Sequence, residues 1–245
     1  MIREDFKLRV RSALARRNLA LTRDPYMARL ARSIEAFSVS GVLDVGANEG
    51  QFASQLRSSG FCGAIHSFEP QEKAFRRLRE RAAKDARWTS SRLGLGSKPM
   101  VGDLSIAGNS YSSSMLPMLP EHVAAAPRSG PIGTEKITLS TVKVELEKLN
   151  WDPEATMLKV DTQGFEGEIL GGAGDLVGKF PLIQVEVSYR SLYAGAPTAS
   201  DLLDELADKS YEMYSIEPGI SSPSSGRLLQ ADILLCLQSA LNTGI

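Results

Sequence analysis

The sequence predicts an α/β domain: a mostly parallel sheet of seven strands, helices on both faces, and an antiparallel hairpin at the C-terminal edge. Three observations predict it. Short apolar runs alternate with helical patterns along most of the chain, the signature of repeated strand–helix–strand units. A glycine turn from Gly46 to Gly50 follows the first of these strands directly. The last two strands have only the Gly/Ser/Pro-rich stretch 217–227 between them, which suits a hairpin on the edge of such a sheet.

Taken in order, residues 1–34 carry Arg3, Lys7, Arg9, Arg11, Arg16, Arg17, Arg23, Arg29 and Arg32 against only Glu4, Asp5 and Asp24. Phe6, Val10, Ala13 and Leu14 fall at helical spacing, so the segment reads as a basic amphipathic helix. Such a helix either packs on the main domain with its charges in water, or is drawn to an anionic membrane surface or lipid-linked substrate. Strands are expected at 41–46, 63–69, 88–94, 155–161, 181–187, 211–216 and 230–238. Helices are expected at 49–59, 70–85, 141–149, 165–178 and 198–209. Residues 108–133 are rich in Ser, Pro, Gly and Ala and keep no period; a stretch of this kind inside a compact domain reads as a lid. The expected organisation is a helical extension over 1–38 and one domain over 39–240, with an insertion at about 100–135.

Composition narrows the class. The 245 residues are 42% hydrophobic and 23% charged, ordinary for a globular domain. A formal net charge of -1 gives no reason to expect nucleic acid as a partner. The two cysteines, Cys62 and Cys236, sit in no CxxC or His-rich context, which argues against a disulfide framework or zinc site and suits a reducing compartment. No apolar run approaches the roughly 20 residues of a membrane helix. The N-terminus also lacks the apolar centre of a secretory signal. The expected location is the cytoplasm, peripheral at the membrane if the basic helix binds it. Nothing in the sequence fixes the oligomeric state.

The strongest local signal is Val42-Leu43-Asp44-Val45-Gly46-Ala47-Asn48-Glu49-Gly50, an apolar strand entering a glycine turn and then a helix. Gly46 permits a sharp turn that brings backbone amides near a ligand, and Gly50 permits close packing where the helix starts. The Gly-x-x-x-Gly spacing differs from the GxGxxG loop that a dinucleotide pyrophosphate needs. Asp44, Asn48 and the carbonyls of the turn suit a cationic sulfonium and an amino-acid group better. The second strand ends in Phe68-Glu69-Pro70. Glu69 lies roughly twenty residues beyond the turn, where an acid accepts hydrogen bonds from the ribose hydroxyls of an adenosine ligand. Leu93 and Gly94, ending the third strand, would then lie near the adenine edge. The candidate cofactor residues are therefore Asp44, Gly46, Ala47, Asn48, Gly50, Glu69, Leu93 and Gly94, joined by Asp161.

These motifs resemble a known family. Asp-Val-Gly-Ala-Asn-x-Gly, then Phe-Glu-Pro, then Leu158-Lys159-Val160-Asp161-Thr162-Gln163-Gly164-Phe165-Glu166 is similar to the FkbM family of S-adenosylmethionine-dependent O-methyltransferases. The stretch from Val185 to Tyr193 also resembles it, so the likeness spans roughly residues 40–237. Typical members read Asp-x-Glu-Gly-x-Glu in the middle motif, where this chain has Gln163. The resemblance implies a Rossmann-like class I methyltransferase fold, S-adenosyl-L-methionine as cofactor with S-adenosyl-L-homocysteine as product, and hydroxyl acceptors that are often sugars or natural-product scaffolds.

Methyl transfer to an alcohol requires alignment, exclusion of water and a base within hydrogen-bond reach. In open α/β sheets the ligands gather beyond the carboxyl ends of the strands, and three carboxylates fit that location. Asp161 is the first choice as base or organiser, with capping of the helix at 165–178 as its structural alternative. Glu166, one turn on, is equally explained as dipole compensation. Glu186 is a carboxylate in an apolar strand, costly without partners. His122, on the expected lid, is a fourth candidate if it swings over the acceptor, while mid-strand His66 reads as structural. Asn109, Tyr111 and Ser113 offer polar contacts on the lid, and Tyr189 and Tyr193 an aromatic platform for a sugar. No metal requirement is expected, because the carboxylates lack ligand spacing. The leading expectation is methylation of a sugar hydroxyl on a glycolipid or glycosylated secondary metabolite. A polyketide-type hydroxyl and a methyltransferase-like binding module without catalysis are the alternatives.

Overall fold

The computed structural model describes residues 25–109 and 111–241. The basic stretch before Pro25 lies outside the described residues. Seven strands form the main sheet: β1 (Gly41–Val45), β2 (Ala64–Phe68), β3 (Trp88–Ser91), β7 (Thr156–Val160), β8 (Leu182–Ser188), β9 (Tyr211–Pro218) and β10 (Gln230–Leu237). Their order is β3-β2-β1-β7-β8-β10-β9. The first five are parallel, while β10 runs antiparallel between β8 and β9. This is the expected mostly parallel α/β sheet with its C-terminal hairpin. The chain reverses direction of winding between β1 and β7, the point at which ligands gather in open sheets.

Alternation along each strand divides the core in two. Leu43, Val45, Leu158, Val160, Ile183, Val185, Ile233 and Leu235 point to one face. There they meet α5 (Val142–Leu149), α6 (Glu166–Ala173) and α7 (Ala199–Asp208) through residues such as Val142, Leu146, Ile169, Leu170, Leu202 and Leu206. Val42, Ile65, Met157, Leu182 and Leu234 point to the other face, against α1 (Pro25–Ala36), α2 (Gln51–Ser58) and α3 (Glu72–Ala82). Tyr26, Met27, Leu30 and Ile34 of α1 are all buried in that second cluster. Local chemistry fixes the helix starts. Thr141 caps α5 by accepting from the Val144 amide at 3.2 Å. Thr198 and Asp201 form a reciprocal capping box on α7, satisfying two of the donors that a helix start leaves orphaned.

Two expectations change. The strand expected over 88–94 is two pieces: β3 joins the main sheet, and after Arg92-Leu93 the short β4 (Gly94–Leu95) joins a second one. The aperiodic region is also more ordered than its composition suggests. It is framed by β5 (Met100–Ala107) and β6 (Pro131–Ser140), which with β4 make a three-stranded sheet of order β4-β6-β5. Within it lies a short helix, α4 (Pro120–Ala125). Leu104, Ile137 and Leu139 form a small core with Met115 and Phe165 partly buried against it.

Candidate active site

Beyond the carboxyl ends of β1, β2, β7 and β8, between the main sheet and the three-stranded sheet, lies a cleft of about 430 Å³. Phe68, Leu93, Gly94, Leu95, Leu139 and Phe165 give it an apolar end, and Glu69 stands in its wall. Asn109, Ser112, Ser113, Gln163 and Glu186 line it as well, and Asp161 is shared with a neighbouring chamber.

The Gly46 turn is locked to the end of β7. At φ +74, a Cβ on Gly46 would sit 1.8 Å from the Asp161 carbonyl oxygen, so no other residue fits. Gly50 also has positive φ, and its absent Cβ would press on Leu78 and Trp88 at 2.9 Å, which is the close packing expected of it. The turn's amides behave differently from expectation. The Gly46 and Ala47 amides both donate to the Phe68 carbonyl, and the Asn48 amide donates to Glu69 Oε2 at 2.8 Å. They brace β1 against β2 and position Glu69 instead of pointing at a ligand. The Gln71 amide donates to Glu69 Oε1, also at 2.8 Å. Burial pushes the Glu69 carboxyl up to about 7, against the pull of those two amides and of Lys159.

Asp44 is fully buried beneath the cleft. Ser67 donates to its Oδ2 at 3.0 Å, Trp88 Nε1 donates to Ser67 Oγ at 2.9 Å, and Lys159 Nζ pairs with its Oδ1 at 3.1 Å. Strand register sets Lys159 beside both Asp44 and Gln184. A row of polar groups therefore crosses β3, β2, β1, β7 and β8 on one face. Lys159 also donates to the Gly46 carbonyl at 3.2 Å and lies 3.5 Å from Asp161 Oδ2. Burial alone would lower the Lys159 ammonium, but Asp44, Asp161 and Asp232 outweigh it and hold the group above its ordinary value. Lys159 belongs to the site, although the sequence motif that contains it assigns it no role. A lysine facing inward from an apolar strand is the same signal that singled out Glu186.

The middle motif draws two carboxylates together. Gln163, held at φ 59, donates from Nε2 to Asp161 Oδ1 at 3.2 Å and to Glu186 Oε2 at 2.6 Å. Gln230 adds a second amide to Glu186 Oε2 at 2.9 Å. Burial, followed by the charges of Asp161, Asp232 and Glu166, raises the Glu186 carboxyl well above the usual range. Asp161 caps no helix: α6 has no side-chain cap hydrogen bond. Glu166 turns back instead, its Oε1 accepting from the Thr162 and Gly164 amides at 2.9 and 3.1 Å. It shapes the loop and does not line the cleft, and burial raises its pKa.

His122 does not swing over the cleft. It is buried on α4, its Nε2 3.0 Å from Ser112 Oγ and its ring 5.0 Å from that of Tyr193, and burial lowers its pKa. Tyr193 is buried too, its hydroxyl 2.9 Å from Gln163 Oε1 and 3.1 Å from the Ser112 carbonyl. Tyr189 is 39% exposed. Neither tyrosine is among the residues lining the cleft, so the expected aromatic platform is not built. Of the other lid residues, Asn109, Tyr111 and Ser113 do line it. His66 is structural, its ring bonded to Thr89 and Ser91 at 2.7 and 3.0 Å, with burial lowering it to about 4. Among the described residues, no group of three or more His, Cys, Asp or Glu is placed to hold a metal ion, and no helix is long and apolar enough to cross a membrane.

Residues 44–213 match the family described as the methyltransferase FkbM domain. No curated protein matches the chain. Among solved structures, the methyltransferase domain of bacterial CtHen1-C is similar over 86% of this chain and 96% of that one, at 10% identity and a TM-score of 0.48. An rRNA methylase from Streptococcus thermophilus matches over 89% and 99% at 10% identity and 0.46. A precorrin-6y C5,15-methyltransferase from Geobacter metallireducens matches over 88% of this chain and 89% of its own, at 12% identity and 0.43.

Proposed function

The chain belongs to the FkbM methyltransferase family, and on that premise we propose that it methylates a hydroxyl group, of a sugar on a glycolipid or glycosylated secondary metabolite, using S-adenosylmethionine. The observation that carries this reading is a single cleft with an apolar end beside Glu69 and a paired carboxylate site, Asp161–Gln163–Glu186, farther along. The lining suits the cofactor. Phe68, Leu93, Leu95 and Leu139 give an adenine apolar contact, and each Glu69 oxygen, already bonded to one amide, keeps a lone pair for a ribose hydroxyl. Among the described residues no lysine, arginine or histidine lines this cleft, so a pyrophosphate or a nucleic-acid backbone would find no charge partner among them. When bound, S-adenosylmethionine supplies a methyl group already activated by positive sulfur.

The residues of this chain supply alignment and a proton acceptor. Glu186 is the preferred base. Its Oε2 is pinned by two amides, and burial with the neighbouring acids raises its carboxyl above the ordinary range, which makes it a stronger proton acceptor than an exposed carboxylate. Asp161 acts as the organiser at the junction of cleft and chamber. Asn109 and Ser112 add small polar groups suited to a polyhydroxylated ring. The test is calorimetric titration with S-adenosylhomocysteine and, in parallel, NAD. Micromolar binding of the first alone, weakened by Glu69→Ala, supports the cofactor reading; binding of NAD alone overturns it. Acceptor classes are then screened by mass gain of one methyl. Transfer only to non-hydroxyl acceptors would overturn the hydroxyl assignment.

A further inference from the structure

The two edges of the main sheet carry opposite charge. At one edge α3 buries Ala74, Leu78 and Ala82 against the sheet, Leu78 and Ala82 in one cluster with Ile65 of β2 and Trp88 of β3. Residues 72–92, which make this edge, hold eight lysines and arginines against three acids. At the other edge, α7 and β9 lie within 199–217, a stretch with six acids against one lysine. The two stretches cancel in the net charge of -1, which conceals both.

The basic edge faces water. Lys73, Arg76, Arg77, Arg79, Lys84 and Arg87 are exposed, as is Arg92 just beyond β3. Part of the charge is balanced locally: Glu49 pairs with Arg77 and Arg81, and Glu72 with Arg76 and Arg92. Lys73, Arg79 and Lys84 have no ion pair among the described residues. Residues 1–24, outside the described ones, hold seven lysines and arginines against three acids, so their net charge has the same sign and does not cancel this face. The face also lacks apolar residues. None of the large exposed hydrophobic residues falls within 72–92, where Phe75 is partly buried and Trp88 buried. A protein interface is built round an apolar, aromatic core with its charges at the rim, and single-stranded nucleic acid is held on aromatic platforms. Attraction to an anionic bilayer needs neither, because each lysine or arginine near the surface contributes separately and a cluster of four to eight suffices.

We propose that the edge formed by α3 and β3 is a docking surface for an anionic phospholipid bilayer. The acidic edge then points away from the lipid, so the separation of charge orients the molecule as well as holding it. The face meets the cleft at two places: Gln71, which opens α3, and Leu93, which follows Arg92, both line it. A sugar on a lipid would therefore reach the cleft from the bilayer, and only this last step rests on the glycolipid reading.

The experiment is co-sedimentation of the full chain with vesicles of phosphatidylcholine, either alone or mixed with phosphatidylglycerol, at rising salt. Native protein is expected on the anionic vesicles only, and salt should release it. Neutralising the three unpaired cations together, Lys73→Gln, Arg79→Gln and Lys84→Gln, should weaken binding about a hundredfold, about fivefold for each charge, with the urea unfolding midpoint unchanged. A control with the same change in net charge, Lys143→Gln, Lys179→Gln and Lys209→Gln, removes three exposed lysines elsewhere and should bind as native protein does. Equal weakening by both triple variants, or native binding by the first, overturns the proposal. So does binding of duplex or single-stranded RNA in place of vesicles, or salt-sensitive self-association without vesicle binding, which would assign the face to the acidic edge of a second copy. Vesicle binding needs neither cofactor nor acceptor, so failure of the methyltransferase reading leaves this test standing.

Discussion

The two faces of the central strands differ in a way that their neighbours do not explain. On the side of α5, α6 and α7, strands β1, β7, β8 and β10 present apolar residues from Leu43 to Leu235, with the Thr156 hydroxyl at the start of β7 as the polar exception and no charged group. On the side of α1 and α2, the same strands carry Asp44, Lys159, Gln184 and Asp232 between apolar neighbours. Both faces are covered by helices, so burial alone does not call for charge. A buried ion pair is weak support for stability, since apolar residues of similar volume often do as well or better. The polar row therefore belongs to the site above it: it holds the Gly46 carbonyl, positions Asp161 and walls the neighbouring chamber.

Substitutions on the two faces separate these roles. The largest effect is expected from Asp44→Leu, which leaves the Lys159 ammonium buried with one of its nearest partners gone; about 3–5 kcal/mol of stability should be lost in urea unfolding. Adding Lys159→Met should restore much of that stability without restoring S-adenosylhomocysteine binding. Recovery of both would mean the row is purely structural. On the apolar face, Leu158→Ala should cost about 2–5 kcal/mol through the cavity it leaves, and no second substitution should relieve it by removing a charge. A full rescue by some polar partner would break the contrast between the faces.

Glu69 gives the next effect, on binding. Its folded pKa of about 7 lies above the reference value of 4.5, so it takes up a proton on folding between those values and its ionisation subtracts stability as pH rises. Ribose hydroxyls are accepted best by the ionised form. S-adenosylhomocysteine affinity should fall as pH drops below about 7, with protons released on binding at pH 6. Glu69→Gln should bind more weakly at pH 8 and show no such pH dependence in titrations across buffers of different ionisation enthalpy. A native affinity flat from pH 5 to 8 would contradict the burial argument. The smallest expected effect is at the end of the row: Trp88→Phe removes the bond to Ser67 and should cost about 1 kcal/mol, with ligand binding intact.

The main sheet was legible because its strands are strongly apolar and end in turn chemistry, as at Val42–Gly46 and Leu158–Asp161. The three-stranded sheet was not. In β5 only Leu104 and Ala107 are buried, and most of β6 up to Lys136 faces water, so the alternation that marks a half-buried element is confined to four residues in each, 103–106 and 136–139. The site was legible where a motif is continuous: Glu69, Gly46, Asp161 and Glu186 were all found in the sequence, and all four line the cleft. Roles that depend on which way a side chain turns were not. Glu166 folding back on its own loop and His122 buried against Tyr193 depend on loop and helix packing, while Gln184 and Asp232 meeting across β8 and β10 depends on strand register; no local pattern encodes either.

Strand order also constrains the sequence of events as the chain emerges from the ribosome. β9 is made before β10, yet β10 lies between it and β8, so among the described strands β10 is the one that β9 pairs with. The edge of the sheet must wait, unpaired, for a segment synthesised later. That segment brings Gln230, which holds Glu186, and Asp232, which closes the neighbouring chamber. A nascent chain can thus complete the Gly46 turn and Glu69 well before the residues that would make it competent, and the last strand added is the one that finishes the site.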